Sequence, residues 1–119
     1  MLLDQRFGAG TLHVLRAAVR DFAAATGMSP GRADDVMMAV HELAANAVRH
    51  GAGTGRLRMW PATRALCCQI EDAGPLEPPG GGAWPLRPGH GLWLTRELAD
   101  QMSVSSGPGW SRVTAVFTL

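Results

Sequence analysis

Three short polar groupings along the 119 residues have spacings that suit chemistry. The first is Glu42-Leu-Ala-Ala-Asn46, preceded by His41. On a helix, residues four apart share a face, with Cβ atoms roughly 5–6 Å apart. The amide oxygen of Asn46 is a hard ligand suited to Mg²⁺, an ion that keeps waters and takes oxygens from substrate phosphates. A carboxylate one turn away, Glu42, can orient or deprotonate a nucleophile beside such an ion. A zinc-protease helix would need a second His at position 45, where Ala stands. Taken alone, the pair is also what a solvated helix face carries.

The second grouping is Glu71-Asp72-Ala73-Gly74, at the end of a segment that alternates like a strand. An Asp there can accept a hydrogen bond from an exocyclic amine, and a Gly two residues on lets the backbone pass close to a flat ligand. An ordinary Asx turn would read the same way. The third is Gly89-His90-Gly91-Leu92, before a helical segment. Glycines allow the backbone to wrap an anion, and a helix start offers unpaired N–H groups to phosphate. A simple glycine hinge is the other reading.

Helical spacing of Leu12, Leu15, Val19, Phe22 and Ala23 predicts a helix over about 11–26, with Thr11 at its cap and Gly27 at its end. Ser29-Pro30 opens a second, over about 30–50, with Val36, Val40, Leu43, Ala47 and Val48 as its core stripe. Glu42 and Asn46 lie about 100° round from that stripe, beside it rather than within it. Residues 56–60 and 65–71 alternate as an antiparallel strand pair around a turn at 61–64, with Cys67 and Cys68 on opposite faces. Residues 74–89 carry five Pro and a Gly80–Gly82 run, a segment long enough to suggest a lid. A third helix over 92–102, a short strand over 103–106 and a final alternating strand after Gly107-Pro108-Gly109 complete the order. No element is assigned before residue 11. The expected architecture is α+β: a two-layer α/β sandwich in one domain, with helices on one face of a mixed, mainly antiparallel sheet.

Composition narrows the chemistry. Apolar residues make up 46% and charged residues 18%, enough to bury a core. Every basic residue is Arg, so a P-loop lysine and a Schiff-base lysine are excluded. Net charge is +1, which does not suggest nucleic acid. Two adjacent cysteines cannot form a disulfide framework or a four-cysteine zinc site and suit a reducing compartment. With neither a signal-peptide pattern nor a membrane-length apolar run, the expected location is the cytoplasm.

Together, in this order, the three groupings resemble the boxes of the GHKL superfamily of Bergerat-fold ATPases, which lack a P-loop lysine. Glu42-Leu-Ala-Ala-Asn46-Ala-Val-Arg49-His50-Gly51 resembles the N box, Asp72-Ala-Gly74 the G1 box, and Gly89-His90-Gly91-Leu92 the G2 box. The chain is most similar in type to the small bacterial anti-sigma factor serine/threonine kinases. The resemblance implies ATP and Mg²⁺ as cofactors, with Asn46 on the metal and Glu42 as general base. It implies Asp72 on the adenine amino group and Gly74 against the base. Gly89, His90, Gly91 and Leu92 would lie at the lid hinge and phosphates, and Arg49 and His50 at the end of the N-box helix. Arg87 would reach phosphates or stay in solvent. Where the family places a Gly and then a Thr supporting the Asp, this chain has Trp110-Ser111, leaving Ser111 or Thr114 for that role. Implied partners are a sigma factor, held inactive, and a STAS-type anti-anti-sigma protein, phosphorylated on Ser or Thr. No nucleic acid or membrane is implied, and a homodimer is compatible. The alternatives are a non-catalytic ATP-binding regulator and a detached histidine-kinase catalytic domain.

Overall fold

Period-two alternation builds one sheet, and period-3.6 stripes cover one of its faces. The computed structural model describes residues 1–50, 52–73 and 91–119, with His50 by its backbone alone. The expected lid over 74–89 lies outside the described residues. Along the chain come β1 (Leu3–Gly8), a 3-10 turn (Ala9–Thr11), α1 (Leu12–Ala25), α2 (Pro30–His50), β2 (Thr54–Ala62) and β3 (Ala65–Asp72). After the undescribed segment follow α3 (Gly91–Leu98), β4 (Gln101–Gly107) and β5 (Trp110–Thr118).

The strand order is β1-β2-β3-β5-β4, and all four ladders are antiparallel. The two-layer α+β sandwich therefore stands, but the described sheet is antiparallel throughout rather than mixed. The physical reason is local: β2–β3 and β4–β5 are hairpins, which join only antiparallel strands. The turn of the second, Pro108-Gly109, places Gly109 at φ 77°, the backbone that a Pro-Gly turn requires.

Two boundaries differ from expectation. Residues 3–8 form a strand the sequence reading did not assign. Its alternation covers only three inward residues, of which Phe7 alone is buried, so the pairing with β2 supplies what the pattern lacks. The third helix stops at Leu98, not 102, because Met102 and Val104 pair with Ala115 and Val113 in β4–β5. At the helix starts, Ser29 does cap α2, its Oγ accepting the Arg32 N–H at 3.2 Å. Thr11 instead turns its Oγ1 back to Gly8, whose N–H it accepts at 2.9 Å.

The core is the inward face of the sheet packed on α1 and α2. Leu57, Met59, Leu66, Cys68, Val113 and Phe117 meet Leu15, Val19, Val36, Val40 and Leu43, all nearly or fully buried. Cys67, on the open face, is also almost buried, so both cysteines are enclosed rather than one. Helix α2 is flanked by α1 on one side and α3 on the other. Ala44 and Ala45 are both buried, which lets these helices approach closely.

One polar residue ties the layers together. Arg32, in the first turn of α2, donates to the Leu98 carbonyl at 2.7 Å and to the Thr118 carbonyl at 3.2 Å. It also pairs with Asp100 and lies 5.3 Å from the Phe117 ring centroid. Asp100 in turn accepts the Thr118 N–H and hydroxyl. These hydrogen bonds hold the Asp100 carboxyl below its ordinary range, with Arg32 adding to the effect. Arg32, Asp35, Ala39, Glu42 and Asn46 fall within an arc of about 80° on α2. The face carrying Glu42 and Asn46 is thus the one whose first turn grips the end of α3.

Candidate functional site

Asp72 closes β3 at the centre of the sheet. Its ladder neighbours are Gly55 on β2 and Ser111 on β5. By alternation with Ile70 and Cys68, Asp72 faces the helical layer, and Ser111 does so with Val113 and Ala115. Ser111 is buried. Thr114 pairs with Gln69 instead, and its Oγ1 accepts from Gln69 Nε2 at 3.3 Å on the open face. Of the two hydroxyls that the sequence left open, Ser111 is therefore the one beside Asp72. Position 55 must be Gly, because a Cβ there would come within 2.8 Å of the Glu71 carbonyl and strike the Phe7 ring.

The Asp72 carboxylate is tied to the helix that bears the first polar grouping. Its Oδ1 accepts the Ala52 N–H at 3.0 Å, two residues past the end of α2. The Gly53 N–H returns to the Ala47 carbonyl at 3.2 Å, so this connection folds back onto the helix. A cavity of about 850 Å³ opens at this end of the sheet. Phe7, Gly55, Asp72 and Ser111 line it from the helical side, and Arg56 and Arg112 from the open side. Its volume lies in the range of small-molecule sites.

The structure brings together part of the expected set. Asp72 and Ser111 meet at the cavity. Glu42 and Asn46 are half-buried on α2, beside its buried stripe as expected, and are not among the residues lining the cavity. Arg49 is exposed, one residue before the end of α2. Gly91 begins α3, and Leu92 behind it is buried. Gly74, Arg87, Gly89 and His90 lie outside the described residues. Among the described residues, no group of three or more His, Cys, Asp or Glu converges as a metal cage. No described helix is long and apolar enough to cross a membrane. Burial pushes both cysteine thiols up, so neither is a ready nucleophile.

Sequence reasoning missed features at four residues. Phe7 and Gly55 form the floor beside Asp72, and only the β1–β2 pairing makes that visible. Thr95 on α3 is fully buried, and its Oγ1 has no hydrogen-bond partner among the described residues. On α2, His41 is half-buried, and its Nδ1 is buried and also without a described partner.

This geometry can be set against known proteins. The family model of the histidine kinase-like ATPase domain matches residues 8–117. The chain belongs to this family. A solved structure described as the RsbU and RsbW domains of Rv1364c from Mycobacterium tuberculosis has a similar fold, with a TM-score of 0.77 at 17% identity. The match covers 100% of this chain and 32% of that one, so the chain spans about a third of its length. No curated protein matched the chain.

Proposed function

We propose that residues 1–119 form one ATPase-type domain acting as an ATP-dependent serine/threonine protein kinase and anti-sigma factor. The observation that carries the reading is the Asp72–Ser111 pair at the cavity, hydrogen-bonded through Ala52 to the helix bearing Glu42 and Asn46. Family membership supplies the nucleotide. The N-box wording, which resembles the small anti-sigma factor kinases, supplies the regulatory class, and the fold shared with a protein holding an RsbW domain agrees with it.

In this reading Asp72 accepts the adenine amino group and Ser111 steadies the carboxylate. Gly74 lies by the base. Arg49, His50, Arg87, Gly89, His90, Gly91 and Leu92 serve the phosphate side. The donor set fits Mg²⁺: one amide oxygen on α2, with no protein cage among the described residues, suits an ion that draws its other oxygens from phosphates and water. Asn46 would hold it, and when bound it neutralises charge on the transferring phosphate. Glu42 then takes the proton of the attacking Ser or Thr hydroxyl as that oxygen bonds to the γ-phosphorus and ADP leaves. The phosphorylated protein is a STAS-type anti-anti-sigma factor, and the sequestered protein is a sigma factor. The setting is cytoplasmic, and a homodimer is compatible.

Calorimetry with Mg-ATP and Mg-GTP tests the nucleotide assignment. ATP should bind and GTP should not, because a site built around one hydrogen bond rejects a ligand with the reversed group. Asn46→Ala should abolish the Mg²⁺ dependence of binding. Equal affinity for GTP would remove Asp72 from the adenine.

A further inference from the structure

The three helices cover one face of the sheet, and among the described residues no element covers the opposite face. By alternation that face carries Arg6, Arg56, Arg58 and Arg112 against the carboxylates of Asp4 and Glu71. Arg6, Arg56, Glu71 and Arg112 stand side by side in one row across four strands. The charges are unevenly matched. Arg56 takes Asp4 in a two-pronged pair and so holds the Asp4 carboxyl below its ordinary range. Arg112 takes Glu71 at 3.0 Å. Arg58 is left 4.0 Å from Asp4, its Nε buried and without a hydrogen bond. Arg6 has no acidic partner among the described residues, although it lies next to Arg56.

Trp110 stands at the end of this row. Its indole lies over Gly107, where a Cβ would collide with the ring, and the Arg112 guanidinium sits 5.6 Å from the ring centroid. The ring packs against Gly107 and Arg112, yet it remains 40% exposed. A half-exposed Trp beside a guanidinium group is the residue chemistry that concentrates binding energy at protein interfaces.

We propose that this open face, centred on the Arg6–Arg56–Glu71–Arg112 row and Trp110, docks an acidic segment of a partner protein. Charge selects the occupant. A second copy placed face to face would oppose the same positive excess. A nucleic acid would set its phosphates against Asp4 and Glu71, which are interleaved with the arginines. A protein segment with spaced carboxylates and one apolar side chain for Trp110 meets both the excess and the interleaving. Arg6, Arg56, Glu71, Trp110 and Arg112 also border the cavity read above as the nucleotide site, but from the side facing away from α2, so the acidic segment should bind whether or not a nucleotide does.

The test is titration of the ¹⁵N-labelled chain with fluorescein-labelled oligoglutamate at low salt. The Nε–H signals of Arg6, Arg56 and Arg112 and the indole N–H of Trp110 should shift, while α2 amides should not. Raising the salt should reverse the shifts, since the contacts are exposed charges. In anisotropy, Arg6→Glu with Arg112→Glu should weaken binding about tenfold or more, as expected for reversed charges at an interface. Arg6→Glu alone breaks no internal pair and should weaken it less. Arg16→Glu, on the exposed side of α1, should leave it unchanged. Shifts confined to the helical layer, equal loss with Arg16→Glu, or displacement of the peptide by single-stranded DNA of equal charge would overturn the proposal. So would sedimentation showing a dimer that Arg6→Glu dissociates.

Discussion

Asp72→Asn separates the adenine contact proposed for Asp72 from its part in the fold. Asp72 offers two oxygens, one of which takes the Ala52 N–H at 3.0 Å. An amide offers only one oxygen. If that oxygen keeps Ala52, the NH₂ faces the purine amine, donor against donor. Structurally the change is mild: the Ala52 hydrogen bond becomes a neutral one, which costs about 1 kcal/mol. For binding, a loss of roughly 100-fold is a conservative figure for such a mismatch. With ATP at 100 times the wild-type Kd, ligand stabilises the native state by about 2.7 kcal/mol, and by about 0.4 kcal/mol once Kd rises 100-fold. At roughly 3–6 °C per kcal/mol for a domain of this size, the ATP-induced rise in Tm falls from about 8–16 °C to about 1–2 °C. Differential scanning fluorimetry with and without Mg-ATP reads both quantities. A variant that keeps the full ATP-induced shift would refute the argument. A variant unfolded without ligand would make Asp72 a structural residue.

Three further outcomes follow from the packing. Arg32→Ala should lower stability by about 2–3 kcal/mol in urea denaturation, because charged hydrogen bonds to two carbonyls are lost and the exposed ion pair adds little. Arg32→Lys should recover only a small part, since an ammonium cannot span the same partners. Thr95→Val should be neutral or stabilising by up to about 1 kcal/mol, as it removes a buried hydroxyl without a described partner; a clear loss in the same assay would reveal a partner. Asp100 titrates below its ordinary value of 3.8 in the folded protein, so its contribution is complete above that pH and is lost as pH falls through the folded value. Acid denaturation of Asp100→Asn should accordingly show a shallower decline below about pH 4 than the wild type.

Much of this was legible because single residues carried both pattern and chemistry. The apolar stripe of α2 fixed which side of the helix Glu42 and Asn46 could occupy, and they are indeed half-buried beside it. The alternation through Ile70 and Val113 placed Asp72 and Ser111 on the helical face once their pairing was known. The pairing itself was not legible: whether Ser111 or Thr114 met Asp72 depends on a register slip of three residues, an odd number that also moves the side chains to the other face. Strand β1 escaped for a related reason. Its three inward residues, Leu3, Gln5 and Phe7, carry too weak a signal alone, and β2 completes it. Arg32 escaped because Leu98, Asp100 and Thr118 lie 66 to 86 residues further along the chain, and no local pattern marks such a hub.

The central claim, transfer of the γ-phosphoryl group to a protein hydroxyl, is tested most directly by incubating the chain with γ-³²P-ATP, Mg²⁺ and the anti-anti-sigma protein encoded nearest to it. The account predicts label on that protein that survives acid and is released by alkali, as phosphoserine or phosphothreonine does. It predicts no transfer by Glu42→Ala although ATP still binds to that variant. Acid-labile label, or undiminished transfer by Glu42→Ala, would contradict it. ATP binding without transfer to any such partner would contradict it as well and leave a nucleotide-binding regulator in its place.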